Sequence, residues 1–262
     1  MTISEIKKSA KLNLKGSYLK SASASLLYFI LIMILTFFLD LIVLKLDDNI
    51  IPLTIIEAIF AILSLVLSYG LISNVLALSQ GKTNSITKFI DNTILNFVKY
   101  VKILLHILIR VLVPLFIFLL CVFYLIGTLI ANINNTNFLC FYANLLPLAL
   151  VITIAGLCVF LYFLLKYVLA PFIYDSNKDL SAKEVVLKSA ELMKGQKCNY
   201  IGLILSFFGW FLLAALIIFI LDFFIDTAWL TSVVVLFYTF IRPYIIESES
   251  QFYESLGENK KE

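Results

Sequence analysis

Four acidic residues lie within or beside long apolar runs, where an ionisable group is costly and commonly functional. They are Asp40, Glu57, Asp222 and Asp226. Each falls toward the same end of its run, so together they could form a cation or proton site on one side of a membrane. The alternative is that they cap helix ends at the headgroup level, where a charged side chain costs little free energy. Glu57 is the strongest candidate, because it lies about 8 Å inside Pro52 at the helical rise per residue.

His106 and Arg110 form a second candidate pair. Their spacing of four residues puts them on one face of a helix, together with Lys102. That face would suit an anion or a lipid headgroup. The alternative is that these long basic side chains extend to the cytoplasmic membrane interface without any specific function, as they commonly do.

Enzyme motifs are absent from the sequence. A zinc hydrolase of the HExxH type needs two histidines, and the chain has one. The GxSxG turn of serine hydrolases and the GxxxxGK[ST] loop of nucleotide-binding proteins are missing as well. Cys121, Cys140, Cys158 and Cys198 are too widely spaced for a zinc motif, and we interpret them as packing residues. We therefore predict a protein that is not an enzyme, with no catalytic residue, no cofactor and no metal site.

The composition indicates which solvent surrounds these residues. The chain of 262 residues is 62% hydrophobic and only 14% charged, with a mean hydropathy of +1.02. A soluble domain carries about 25% charged residues, so this chain has too few polar side chains to cover a globule in water. The net charge of +3 is small, and no basic tract suggests nucleic acid. The composition therefore predicts an integral membrane protein.

Six apolar runs are long enough to cross a hydrocarbon core about 30 Å thick. They fall near 22–44, 51–78, 103–130, 145–170, 199–221 and 228–246. We predict an all-α membrane protein with six transmembrane helices, arranged as three hairpins. The predicted domains are a cytoplasmic amphipathic helix at 1–21, a six-span membrane domain at 22–247 and a cytoplasmic tail at 248–262.

The basic residues predict the orientation. Of the 20 lysines and arginines, all except Lys45 fall on the same side of the six predicted spans. Because cytoplasmic loops are enriched in Lys and Arg, that side is predicted to be the cytoplasm, and it holds both termini. The loops on the other side are too short for a folded domain.

An amphipathic surface helix is predicted ahead of each hairpin. The first begins at a capping box of Thr2 and Glu5, and we expect it to lie on the membrane. The third begins at a second capping box, Ser181 and Glu184, and stops at Gly195. A middle candidate covers 85–101. The apolar stripes contain Ile3, Ile6, Ala10 and Leu14 in the first, Ile86, Phe89, Ile90, Phe97, Val98 and Val101 in the middle, and Ala182, Val185, Val186, Ala190 and Met193 in the third.

These three units suggest an internal threefold repeat. The first and third units share a KSA triplet followed by KG, and the last two share a proline motif. The matching segments are Lys8-Ser9-Ala10 and Lys188-Ser189-Ala190, Lys15-Gly16 and Lys194-Gly195, and Ala170-Pro171-Phe172-Ile173 and Arg242-Pro243-Tyr244-Ile245. The middle unit matches poorly, and apolar segments resemble one another by chance, so a true repeat and chance similarity both stay open.

A longer pattern of residues resembles a known family. It consists of Lys194-Gly195, Leu205-Ser206-Phe207-Phe208-Gly209-Trp210, Arg242-Pro243-Tyr244 and Phe252-Tyr253-Glu254, with Ile6-Lys7, Ala10 and Lys15-Gly16 near the start. The chain resembles the bacterial integral membrane proteins that carry domain of unknown function 975, over nearly its whole length. The resemblance implies a multipass protein of a bacterial plasma membrane, and it implies no catalytic residues.

Two classes of function fit these predictions. The first is a non-catalytic protein that handles small or lipid-like molecules across or within the plasma membrane. The second is a membrane scaffold or a regulatory subunit of a larger complex, without transport activity. Few charges lie near the bilayer midplane, which weakens the case for a coupled carrier, whereas lipid-like cargo would need few charges. The expected partner is the bilayer, with anionic lipid at the cytoplasmic face, and a protein partner or a homo-oligomer stays open.

Overall fold

The computed structural model of the chain describes residues 1–44, 50–82, 86–134, 146–221 and 227–258. These residues form helices joined by short turns, and no strand occurs among them, so the all-α prediction is confirmed. The helices are α1 (Ile3–Asn13), α2 (Tyr18–Val43), α3 (Ile50–Ser79), α4 (Ile86–Leu95), α5 (Phe97–Asn134), α6 (Leu146–Leu165), α7 (Ala170–Ser176), α8 (Ala182–Leu192), α9 (Lys197–Leu205), α10 (Phe208–Leu221) and α11 (Thr227–Glu258).

Five helical segments within the described ranges are long and apolar enough to cross a membrane. They are Tyr18–Val43, Pro52–Ser79, Phe97–Ile130, Leu146–Ser176 and Lys197–Leu221. They match the first five predicted spans, and they indicate a membrane location for the chain. The predicted sixth span, 228–246, lies within α11 and is not among the five.

The chain divides into two compact units. The first contains Met1–Lys102, Pro171–Leu180 and Cys198–Glu262, and the second contains Ile103–Ala170 and Ser181–Lys197. Both ends of the described chain, α1 and the last turns of α11, therefore belong to the first unit. The second unit contains most of α5, together with α6 and α8.

In the first unit, the apolar face of α1 packs against α11. Ile6, Ala10 and Leu14 are at most 2% exposed. The apolar face of α1 is therefore covered by protein, and the position of α1 on the membrane stays a prediction. In the region predicted as a tail, α11 continues to Glu258, and Phe252 is buried.

Both predicted capping boxes are present. The Thr2 hydroxyl accepts a hydrogen bond from the Glu5 amide at 3.3 Å, and the Glu5 carboxylate accepts one from the Thr2 amide at 2.7 Å. Ser181 and Glu184 repeat this arrangement at 3.3 Å and 2.8 Å. Each helix is followed by a glycine in the left-handed region, which a residue without Cβ adopts freely: Gly16 has φ +93° and Gly195 has φ +80°.

The helices α1 and α8 therefore share one local structure. The shared caps and glycines define how the two sequences align. With the caps and the glycines aligned, Ile6 matches Val185 and Ala10 matches Ser189, and all four are buried. The KSA triplets would align Ser189 with Ser9 instead, so that sequence match is one residue out of register. The similarity of the first and third units thus extends to their local structure. The corresponding cap of the middle unit cannot be compared, because residues 83–85, just ahead of α4, lie outside the described residues.

The middle helix, α4, differs from α1 and α8 because it keeps apolar side chains exposed. Phe89 is fully buried against the rest of the first unit, whereas Ile94 is 67% and Leu95 81% exposed. The predicted helix at 85–101 is also divided, since α4 ends at Leu95 and α5 begins at Phe97. Among α1, α4 and α8, the helix α4 thus has the most exposed large hydrophobic side chains within the described residues.

Two of the five segments that are long and apolar enough to cross a membrane are interrupted. One break lies at Ser206 and Phe207, between α9 and α10, and the other lies at 166–169, between α6 and α7. A break frees backbone carbonyls, which need partners inside a membrane. At the first break Lys7 Nζ donates to the Ser206 carbonyl oxygen at 3.0 Å, and at the second Ser189 Oγ donates to the Lys166 carbonyl oxygen at 3.0 Å. The surface helices α1 and α8 therefore each stabilise one broken span.

Candidate functional site

The predicted acidic site is only partly described by the structure. Asp40 on α2 and Glu57 on α3 are both exposed, and no hydrogen bond or ion pair joins them. Asp222 and Asp226 lie outside the described residues. Within the described ranges, no group of three or more His, Cys, Asp or Glu side chains is placed to hold a metal ion. A cation or proton site at the outer helix ends stays a prediction.

His106 and Arg110 do lie on one face of α5, as predicted, and both are half-buried. Arg110 Nη1 donates a hydrogen bond to the His106 carbonyl oxygen at 3.0 Å. The guanidinium is therefore held along its own helix. This contact leaves the anion site and the interfacial interpretation both open.

A groove lined by charged residues lies beside α1, in the first unit. Its volume is about 870 Å³, which is within the range of sites for small ligands. Its lining combines four lysines with apolar and aromatic side chains. The lysines are Lys7, Lys8, Lys11 and Lys15, and the others are Leu12, Leu14, Tyr18, Trp210 and Tyr244. We call this feature the α1 groove.

The sequence of α1 explains how the lysines reach the groove. Ile6 and Ala10 face α11, whereas Lys7 and Lys11 are one turn apart on another face, because residues four apart lie above one another on a helix. Two polar contacts hold α1 in place. Ser9 Oγ donates to Gln251 Oε1 at 2.6 Å, and Asn13 Nδ2 donates to Glu247 Oε1 at 2.9 Å.

Lys7 occupies the inner end of the groove. Besides its hydrogen bond to Ser206, its ammonium lies 4.3 Å from the centre of the Phe207 ring. This partial burial lowers the pKa of Lys7 from its ordinary value. An ammonium has three donors, so at least one is left for a ligand. Lys7 thus connects the groove to the break between α9 and α10.

The groove is electrostatically one-sided. Lys8, Lys11 and Lys15 are exposed, and none of the four lysines makes an ion pair with another described residue. No acidic residue lines the groove. Close like charges repel one another, so an anion bound among them would be stabilised.

Two buried acidic residues lie on α11, the helix that packs against α1. Glu247 and Glu249 on α11 are 2% and 8% exposed. Tyr200 donates its hydroxyl hydrogen to Glu249 Oε1 at 2.6 Å, while Glu247 Oε2 is buried without a hydrogen-bond partner. Burial raises the pKa of both carboxyl groups, which favours their neutral form.

The aromatic residues make the groove amphipathic. Trp210 is 48% exposed, and Tyr18 donates its hydroxyl hydrogen to the Phe240 carbonyl oxygen at 2.5 Å. Trp and Tyr side chains are enriched where a membrane meets water, since each combines an apolar ring with one polar atom. The groove therefore suits a ligand with an anionic end and an apolar end.

From the sequence, these lysines were used only to predict the membrane orientation, and the groove was not predicted. The signal was present in the spacing of Lys7, Lys11 and Lys15. However, Trp210 and Tyr244 come from α10 and α11, and nothing in the linear sequence indicates that they meet α1.

Comparison with known proteins yields one match. Residues 1–260 match the family described as "Protein of unknown function (DUF975)". No curated protein and no solved structure matches the chain.

Proposed function

We propose that this chain, which belongs to the DUF975 family of proteins of unknown function, is a non-catalytic multipass protein of a bacterial plasma membrane that binds anionic phospholipid in the α1 groove. It would handle lipid-like molecules at the cytoplasmic leaflet. The observation that carries the proposal is that four lysines and no acidic residue line the groove, beside the exposed ring of Trp210.

The chemistry of the lining favours a lipid over a soluble anion. A phosphate would interact with the ammonium groups, and each lysine near an anionic membrane surface contributes about 1 kcal/mol. A small soluble anion would leave Leu12 and the aromatic rings in contact with water, whereas the glycerol and acyl chains of a lipid would cover them. We therefore infer that the occupant of the groove is a phospholipid.

The proposed topology puts the groove at the cytoplasmic headgroup level. In it, α11 supplies the sixth span at 228–246, and the three hairpins pair α2 with α3, α5 with α6, and α10 with α11. Helix contacts support the first and third pairs, and the Phe118 and Phe160 rings stack at 5.7 Å between α5 and α6. With nearly all lysines on the cytoplasmic side, α1 and its groove face the anionic leaflet.

Cysteine labelling tests this topology. In a chain with its native cysteines changed to serine, Asp91→Cys and Lys183→Cys are both expected to resist an impermeant maleimide in intact cells and to react after lysis. Asn49→Cys, in the predicted outer loop, is expected to react in intact cells. Labelling of Asp91→Cys and Lys183→Cys from opposite faces would show that the six-span arrangement is wrong.

Lipid binding can be read from the tryptophan in the groove. The chain has two tryptophans, so Trp229→Phe leaves Trp210 as the reporter. In vesicles of phosphatidylcholine, brominated phosphatidylglycerol is expected to quench Trp210 more than brominated phosphatidylcholine does. Changing Lys8, Lys11 and Lys15 together to Gln removes about 3 kcal/mol of attraction, so the apparent affinity for phosphatidylglycerol is expected to fall on the order of 100-fold.

The matched control removes the same charge from α8, the helix with the same local structure. Lys183, Lys188 and Lys194 are all exposed, as are the three substituted groove lysines. Changing them to Gln is expected to leave the quenching of Trp210 nearly unchanged. Equal losses in the two triple variants would mean that general surface charge, and not the groove, attracts the lipid.

The second candidate function is a membrane scaffold or a regulatory subunit. The observation in its favour is that α10, with 14 residues, buries none of them within the described chain. Such a helix could contact a partner protein as well as lipid. Crosslinking in native membranes separates the two functions, since a scaffold is expected to yield one reproducible protein neighbour through α10, and a lipid-binding protein is not.

A further inference from the structure

The lysines of the α1 groove are spread along its length and do not surround one point. Lys7 and Lys11 are one turn apart, which corresponds to about 6 Å along the axis of α1. Lys15 lies farther on, in the turn after the end of α1. A ligand that meets the whole row therefore needs more than one anionic group.

The inner lysine cannot easily move to the outer end. The Lys7 ammonium is held by the Ser206 carbonyl oxygen at 3.0 Å and by the Phe207 ring. If it moved toward Lys15, the carbonyl at the break in the fifth span would lose its partner. The groove therefore presents two positive regions, with Lys7 at one end and Lys15 at the other.

The volume and the apolar lining agree with a large amphiphile. About 870 Å³ is near the upper limit of ordinary small-ligand sites. Leu12, Trp210 and Tyr244 lie along the same groove as the lysines. More than one pair of acyl chains could therefore contact the apolar lining while the phosphates remain at the lysines.

We propose that the occupant of the α1 groove is a bisphosphate lipid, in which two phosphodiesters are joined through one glycerol, in preference to a phospholipid with a single phosphate. One phosphate binds at Lys7 and Lys11, and the other binds at Lys15. This inference rests on the proposed function, because it assumes that lipid occupies the groove.

The test compares two brominated lipids at equal phosphate concentration, using the chain with Trp229→Phe in phosphatidylcholine vesicles. Brominated cardiolipin carries two phosphates, and brominated phosphatidylglycerol carries one. Half-maximal quenching of Trp210 is expected at about tenfold less phosphate for cardiolipin, the ratio expected when the second phosphate engages one or two further lysines.

A single substitution tests where the second phosphate binds. Lys15→Gln is expected to remove most of the preference for cardiolipin, whereas phosphatidylglycerol binding is expected to weaken by no more than the roughly fivefold that one lysine contributes. Its matched control is Lys194→Gln, which occupies the equivalent position before Gly195 and is also exposed. A preference that survives Lys15→Gln would overturn the assignment of the second phosphate.

The outcomes separate this inference from the proposed function. If cardiolipin and phosphatidylglycerol quench equally per phosphate, and both exceed phosphatidylcholine, the bisphosphate inference is wrong and anionic lipid binding stands. If neither exceeds phosphatidylcholine, both proposals fail. If inorganic pyrophosphate displaces cardiolipin at a similar phosphate concentration, the groove binds soluble anions, and the inference that its occupant is a lipid is wrong.

Discussion

A Gly70→Ala chain is expected to be less stable than the wild type by about 1–3 kcal/mol, the usual cost of adding a methyl group to a packed core. Gly70 on α3 faces Thr93 on α4, and a Cβ at this glycine would lie 2.0 Å from Thr93 Oγ1 and 3.1 Å from Thr93 Cβ. Rotating Thr93 would break the hydrogen bond from its hydroxyl to the Phe89 carbonyl oxygen, and its Cβ would remain at 3.1 Å. Thermal unfolding of the purified protein in detergent measures the loss.

The control for this prediction is Gly127→Ala in α5. There an added Cβ would meet no atom within 4 Å. Alanine forms helices better than glycine by about 1 kcal/mol, so the melting temperature of this variant is expected to stay equal or to rise. If both variants melt at the same temperature, the close packing of α3 on α4 at Gly70 is contradicted.

The second large effect is a loss of stability as the pH rises, caused by the buried carboxyl group of Glu249. Burial raises the pKa of Glu249 above its ordinary value of 4.5, and the nearby Arg242 offsets only part of that effect. The folded chain therefore holds this proton more firmly than the unfolded chain does. Its contribution to stability is fully present below pH 4.5 and is lost as the pH rises through the folded pKa, by at most about 1.4 kcal/mol per pH unit.

Glu249→Gln removes this titration and keeps an acceptor for the Tyr200 hydroxyl. The variant is expected to match the wild type near pH 5 and to melt at a higher temperature at pH 8. Glu247 is also buried with a raised pKa, so the variant retains part of the pH dependence. Asp179→Asn is the control, because Asp179 is exposed, and its melting curve is expected to follow the wild type at both pH values. If the wild type is more stable than Glu249→Gln at pH 8, then the charged form of Glu249 stabilises the folded chain more than the neutral form does, and the prediction is wrong.

The sequence predicted the local features of the fold well. Five of the six predicted spans coincide with helices that are long and apolar enough to cross a membrane, in the part of the chain that the structure describes. Both capping boxes form, at Thr2 with Glu5 and at Ser181 with Glu184. These features depend on residues within a few positions of one another, so their chemistry can be read directly from the linear order.

The candidate site was predicted poorly because it depends on contacts between distant residues. Lys7 meets Ser206, and Asn13 meets Glu247, across most of the length of the chain. The residues that did attract attention, Asp40 and Glu57, were selected by their type within apolar runs, and the structure leaves both exposed. Residue type alone therefore selected charged groups whose burial in a membrane would cost free energy. It did not identify a groove built from lysines that lie at the surface at little cost.

The sequence by itself determined that this protein is helical, that its composition suits a membrane, and where the first five helices long enough to cross one lie. Only the tertiary structure decided that α1 packs on α11, that 248–258 are part of a packed helix, and that four lysines meet Trp210 in one groove. The physical reason is that lipid and protein interior are both apolar. A hydrophobic face is about equally stable against lipid and against protein. The pattern of residues therefore shows that the face avoids water, and the packing of distant helices decides what covers it.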